Sequence, residues 1–220
     1  MSMEKKTTQT ILPLFPLPLV LFPQMKLPLH IFEMRYREMI GNCIESRSPF
    51  GVIMSRENDV ESVGCGAQVI EVLKRFPGGE FDIMTVGSER FRILELFDNK
   101  TYLEGMVEFF RDEPKEESGF AALSEVDLLE EVFGLCYRLL KSESKVEKIR
   151  TFTQSHSGTP SFLLANHLGF DLNFQQKMLE MVSEEERLSM MIDRLAGILG
   201  PESTLVAKGF LEGQSWFNVN

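Results

Sequence analysis

Three histidines, three cysteines and a few serines bound the chemistry open to this chain. His30, His156 and His167 are scattered, whereas zinc sites group their Cys and His ligands at short spacings. Cys43, Cys65 and Cys136 are odd in number and far apart. They read as small core residues in a reducing compartment, not as a disulfide framework or a metal cluster. "SHSG", residues 155–158, sets Ser155 and Ser157 beside His156. Sequence neighbours rarely form a catalytic pair, and the chain has no Gly-x-Ser-x-Gly elbow. "GCG", residues 64–66, leads into a strand pattern. A dinucleotide site needs a strand, a glycine-rich turn and then a helix, and a phosphate loop needs GxxxxGK[ST]. Neither pattern is present. The 33 Asp and Glu residues fall mostly at positions expected to be solvated on helices, such as Glu184 and Glu185, so no acid–base pair stands out. No cofactor is expected, and the residue types favour binding over catalysis.

Charge and composition narrow the ligands. The net charge of −10 disfavours a phosphate backbone, which is bound by clustered Lys and Arg. A hydrophobic fraction of 43% and a charged fraction of 25% are those of an ordinary globular protein. Lys5 and Lys6 precede an apolar run, as in a signal peptide, but Pro13, Pro16 and Pro18 interrupt that run. The same breaks exclude it as a membrane-spanning helix.

The elements that must position a site divide into two halves. "ILPLFPLPLVLFP", residues 11–23, is apolar yet rich in proline. Proline fixes its own φ and pushes its predecessor into extended geometry, so this run is an edge strand along the margin of a closed or nearly closed sheet. Tyr36, Ile40, Cys43 and Ile44 recur at helical spacing, which predicts one helix of about three turns ending near Ser46, with Glu33 in its first turn. "SPFGVIMS" reads as a buried strand. Two Val/Ile/Phe-rich runs around Pro77-Gly78-Gly79 predict a hairpin. Its second arm carries Phe91, Ile93 and Glu95 on one face and Arg90, Arg92 and Leu94 on the other. "TYLEGMVEFF" adds a further strand. About six strands and one helix suit a small barrel or pseudo-barrel. Residues 111–119 are charged, carry proline and glycine, and read as a linker.

Beyond the linker the pattern is helical. Val126, Leu129, Val132, Phe133, Cys136, Leu139 and Leu140 form one apolar stripe. Thr159-Pro160 is a helix start, and "LLANHLGF" stops at Gly169. Ser183 with Glu186 fits a capping box ahead of Leu188, Met191, Ile192, Leu195 and Ile198, and Gly200-Pro201 ends that helix.

"LPLFPLPLVLFPQMKLPLHIFEMRYREMI" resembles the opening of the Lon protease N-terminal, or substrate-binding, domain of the peptidase S16 family. "LFP" is Leu21–Pro23, "IFEMRY" is Ile31–Tyr36, and Gly87 with Arg90, Phe91, Arg92 and Ile93 fits the later G-x-x-RFRI pattern. The resemblance covers roughly residues 11–199. Gln24 stands where the family often has glycine, so the turn after Pro23 is expected not to demand a positive φ. Met34 stands where proline is common. The resemblance implies an α+β fold: a disordered start over residues 1–10, a PUA-like β pseudo-barrel over 11–113, and an α-helical bundle over 114–220. It also implies a stand-alone, non-catalytic protein of the cytoplasm, without Lon's ATPase and serine–lysine protease modules. Such a protein would recognise unfolded or tagged polypeptide as an adaptor or client-binding factor, alongside a separate ATP-dependent protease. The rival readings are a PUA-like RNA-binding module and a small hydrolase; the acidic balance argues against the first. Glu33, Arg35, Tyr36, Arg90 and Arg92 belong to the matched motifs and are expected to be structural. Glu33 is expected to fasten the helix to the barrel by pairing with an arginine of "ERFR". Twelve methionines suit an adaptable apolar surface.

Overall fold

The computed structural model describes residues 9–57, 59–113, 124–155 and 158–200. Most of the start expected to be disordered, most of the expected linker, the His156–Ser157 pair and Pro201 therefore lie outside the described residues. Contacts divide the chain into two units, Met1–Arg111 and Asp112–Asn220.

The first unit holds β1 (Gln9–Leu17), β2 (Lys26–Ile31), α1 (Met34–Ser46), β3 (Phe50–Arg56), β4 (Asp59–Arg75), β5 (Phe81–Phe97) and β6 (Glu104–Phe110). The strands run in the order β2-β5-β4-β3-β1-β6, and β6 also pairs with β5, so the sheet closes on itself. All pairs are antiparallel except β1 with β3. That parallel pair requires a crossover, and β2 and α1 lie within it.

The prolines of β1 follow from how it is paired. Residues 9–13 pair with β6, and residues 14–17 pair with β3. Each half of the strand thus has one neighbour, and half of its N–H positions face no ladder. Pro13 and Pro16 therefore fit without breaking the sheet. Gln9 and Thr10 belong to the ladder, opposite Glu108 and Val107.

Two apolar clusters fill the barrel. Leu12, Leu14, Ile53, Phe91 and Val107 form one. The other gathers Phe15, Leu21, Ile31, Phe50 and Ile83 against Tyr36, Met39, Ile40 and Cys43 of α1. Those four α1 residues lie at helical spacing, so one face of the helix covers the sheet. Gly64 is required where the ring of Phe91 crosses β4, because an added Cβ would stand 2.6 Å from Phe91 Cζ and 2.5 Å from the Val52 carbonyl.

The turn after Pro23 differs from expectation. Gln24 has φ 65°. Its N–H donates to the Gly87 carbonyl at 2.9 Å, the Gly87 N–H donates to the Met25 carbonyl at 2.8 Å, and Met25 N–H donates back to Phe22 at 3.2 Å. Proline followed by a positive φ is the type II arrangement, which favours glycine at the second position. The pairing to Gly87 holds the backbone there even with glutamine. The alternation expected along β5 also fails. A bulge between Ile93 and Glu95 resets its faces, and Arg90 is as buried as its neighbour Phe91.

The second unit holds α2 (Glu125–Leu140), α3 (Glu143–Ser155), α4 (Pro160–Leu168), α5 (Leu172–Glu180) and α6 (Glu184–Ile198). Ser124 caps α2 in a reciprocal box with Asp127. Gly169 ends α4 with φ 63°. Ser183 accepts from Glu186 N–H at the start of α6. The buried face of α2 is Leu128, Val132, Phe133, Leu135 and Cys136. Val126 is 68% exposed, because at 100° per residue it lies roughly 200° around the helix from Leu128.

Glu184, expected in solvent, is buried, and Arg187 is fully buried. The Arg187 guanidinium donates to Ser161 Oγ (2.9 Å), Glu184 Oε2 (2.9 Å), Asp112 Oδ1 (2.9 Å) and the Met181 carbonyl (2.8 Å). Its Cζ lies 4.4 Å from the ring centre of Phe162. Ser161 donates both its hydroxyl and its N–H to Glu184, at 2.6 and 2.9 Å. Burial is the larger influence on Glu184 and raises its pKa, while the Ser161 and Arg187 donors oppose it. One side chain therefore fastens Asp112, the start of α4, the end of α5 and the first turn of α6.

Two variants test these local arguments. Gln24→Gly releases about 1–2 kcal/mol of left-handed strain and gives back about 0.5–1 kcal/mol through the freer unfolded chain. The expected gain is up to about 1.5 kcal/mol by chemical denaturation; a loss contradicts the turn assignment. Arg187→Met leaves Glu184 and Asp112 without their counter-charge and is expected to destabilise the chain by about 3–5 kcal/mol. An unchanged denaturation midpoint contradicts the role given to Arg187.

Candidate functional site

The stretch from Ile31 to Tyr36 changes from strand to helix, and that change puts apolar residues in solvent. Ile31 ends β2 and points into the core, with 1% exposure. Phe32 is the next residue and faces solvent, with 61% exposure. Glu33 is the N-cap of α1, at φ −68° and ψ 133°, without a side-chain capping bond. Met34 opens the helix on the side away from Tyr36 and is 73% exposed.

Glu33, Met34, Arg35, Glu38 and Thr101 line an open depression of about 570 Å³. Its far wall is the β5–β6 connection. Tyr102 is buried and anchors that connection, and Lys100 Nζ donates to Glu104 at 2.9 Å and to the Tyr102 hydroxyl at 3.3 Å. Thr101 Oγ1 donates to Glu38 Oε2 at 3.4 Å.

The motif residues fall in two places. Arg35 Nη2 lies 2.8 Å from Glu33 Oε2, and both side chains are about half exposed. The expected pairing of Glu33 with Arg90 or Arg92 is not made, because the cap position turns the Glu33 side chain along its own helix toward Arg35. Arg35 Cζ also lies 4.5 Å from the Tyr36 ring centre. Tyr36 is buried with its ring 4.3 Å from that of Phe15, and burial pushes its phenol pKa up. Arg90 and Arg92 instead lie over the ring of Phe110 at the end of β6, at 4.6 and 5.1 Å.

Other groups with potential chemistry are engaged or inert. Burial pushes the Cys65 thiol up to about 12 and the Cys136 thiol up to about 11, and raises Cys43 as well, which disfavours the reactive thiolate in each. His167 stacks on Phe152 at 4.4 Å. His30 Nδ1 meets Asp82 Oδ1 at 2.6 Å, and its ring stacks on Phe32 at 5.8 Å. The described residues hold no group of three His, Cys, Asp or Glu placed to bind a metal. No described helix is long and apolar enough to cross a membrane.

Sequence reasoning missed Phe32, Met34, Glu38 and Thr101. The alternation Ile31-in, Phe32-out was readable from the strand pattern, and the exposure of Met34 from its helical angle to Tyr36. Thr101 reaches the depression only through tertiary packing.

A smaller cleft of about 160 Å³ lies between the C-terminal turn of α1 and β4, lined by Cys43, Ile44, Arg47 and residues 68–72. Beside it, bulges leave Ile70 and Leu73 without ladder partners on β5.

Comparison with known proteins places this geometry in a family. Residues 11–197 match the family model of the ATP-dependent protease La (LON) substrate-binding domain. The Lon protease of Anaeromyxobacter dehalogenans is 26% identical over 206 residues, which is 87% of this chain and 24% of that protein. Lon protease 2 of Myxococcus xanthus is 24% identical over 203 residues, with the same two coverages. The chain thus spans about a quarter of the length of these relatives. Among solved structures, a Lon N-terminal domain protein from Xanthomonas campestris superposes with a TM-score of 0.62 at 23% identity, covering 84% of this chain and 98% of that one. The N-terminal domain of a Mycobacterium avium complex Lon protease gives a TM-score of 0.62 at 19% identity, covering 85% and 98%. The chain belongs to the Lon substrate-binding domain family.

Proposed function

We propose that the first unit binds exposed apolar side chains of unfolded or tagged polypeptide, and that Phe32 and Met34 are its contact residues. The carrying observation is that Met34 stands in solvent on the lining of an open depression, with the exposed ring of Phe32 two residues before it, inside a stretch that matches the family. Apolar side chains are costly in water, and a mobile, polarisable methionine beside an aromatic ring can pack against many client shapes. Tyr36, Arg90 and Arg92 support the barrel, while Glu33 and Arg35 form the polar rim. On this reading the chain is a non-catalytic client-binding factor of the cytoplasm that works with a separate ATP-dependent protease.

The magnitude suits sampling. Fully burying a Phe or Met side chain contributes about 1.5–3 kcal/mol, and association costs offset much of the total. Affinity on the order of micromolar or weaker follows.

The test is anisotropy of a labelled, permanently unfolded protein, such as reduced and carboxymethylated lactalbumin, and of a labelled single-stranded RNA, at about 50 and 200 mM salt. Client binding is expected to persist across that range, with little RNA binding at either salt. Phe32→Ser with Met34→Glu is expected to weaken client binding at least about tenfold, or ~1.4 kcal/mol, and to leave the melting temperature unchanged because both side chains are exposed. Client binding that survives the double variant contradicts the site. RNA binding that is tight at low salt and collapses at high salt, with no client binding, contradicts the function.

A further inference from the structure

The rim of the depression continues as a strip along the outer face of α1. At 100° per residue, Met34, Glu38 and Glu45 lie within roughly 40° of one another, on the side opposite buried Met39 and Cys43. Glu38 and Glu45 are exposed. Neither has an ion-pair partner among the described residues. The nearby cations are engaged elsewhere: Arg35 with Glu33 at 2.8 Å, and Lys100 with Glu104 at 2.9 Å. Arg37 reaches Gly79 at the tip of the β4–β5 hairpin. Arg47, the C-cap residue, lines the cleft on the other side of the helix. The last turn of α1 contains no basic residue, so Glu45 adds its charge to the negative end of the helix dipole.

We infer that the site selects polypeptide segments in which an apolar anchor is flanked by Lys or Arg, the anchor seated at Phe32 and Met34 and the cations over Glu38 and Glu45. The inference rests on the polypeptide-binding reading above and specifies its substrate. The spacing follows from chain geometry. Glu38 lies about 6 Å along the helix from Met34, and Glu45 about 16 Å, at 1.5 Å per residue. An extended client rises about 3.3 Å per residue. Its cations therefore belong about two and five residues from the anchor. Basic side chains there supply each of the two carboxylates with a cation, and the one over Glu45 relieves the helix end.

Three labelled peptides test this. Each carries one Phe-Met anchor with Lys, Gln or Glu at the second and fifth positions on either side. At about 50 mM salt the Lys peptide is expected to bind the full chain about three- to tenfold more tightly than the Glu peptide, the scale of two exposed ion pairs, with the ratio shrinking at about 200 mM. Glu38→Gln with Glu45→Gln is expected to abolish the discrimination between the Lys and Glu peptides. Equal binding of all three peptides overturns the inference, as does discrimination that survives the double variant. If binding ignores charge but is lost in Met34→Glu, the polypeptide-binding reading stands and the charge selection falls. If no peptide and no unfolded client binds, both fall.

Discussion

The site depends on the length of β5. Seventeen residues long, it pairs with β4 along one edge and divides the other edge between β2 and β6. The first half holds β2, which delivers Phe32 and the start of α1. The second half holds β6, whose preceding connection delivers Thr101. A shorter β5 would leave one wall of the depression unsupported and the sheet open. Gly87 lies between the two halves, where an added Cβ would stand 2.1 Å from the Phe22 carbonyl. The Pro23–Gln24 turn is docked there, and it sets the direction in which β2 leaves.

A barrel closed this way can afford exposed apolar residues beside its core. Phe32 directly follows Ile31 and Met34 lies two residues before Tyr36, and both of these neighbours are buried. Buried neighbours therefore hold the two contact residues in place, although each is largely exposed. The helical unit uses a different device. There a buried arginine, satisfied by Asp112, Ser161, Glu184 and a backbone carbonyl, gathers four segments around one cation. Pairing of that kind is unforgiving, because loss of any partner leaves a charge buried.

Periodicity and turn chemistry made most of the elements legible. The proline-rich run, the hairpin at Pro77-Gly78-Gly79, the helix ending at Ser46, the helix start at Thr159-Pro160 and the stop at Gly169 each follow from local rules. What stayed hidden was set by tertiary contacts. Glu184 and Arg187 look like solvated helix residues until Asp112, distant in sequence, reaches them. Gln24 takes a positive φ because Gly87 pins the turn, which glutamine itself does not favour. Glu33 meets Arg35 and not the β5 arginines because it is the cap of α1 and not a residue of its first turn. The depression belongs to the same class: its near side was readable in Met34, its far wall at Thr101 was not.

The central claim is that client polypeptide is held at the start of α1 and the facing β5–β6 connection. Hydrogen exchange of the full chain, with and without a saturating unfolded client, tests it most directly. The account predicts slowed exchange at backbone amides of residues 31–38 and 99–103, with the helices of the second unit unchanged. Protection confined to the helical unit, with residues 31–38 exchanging at the same rate in both states, would contradict it.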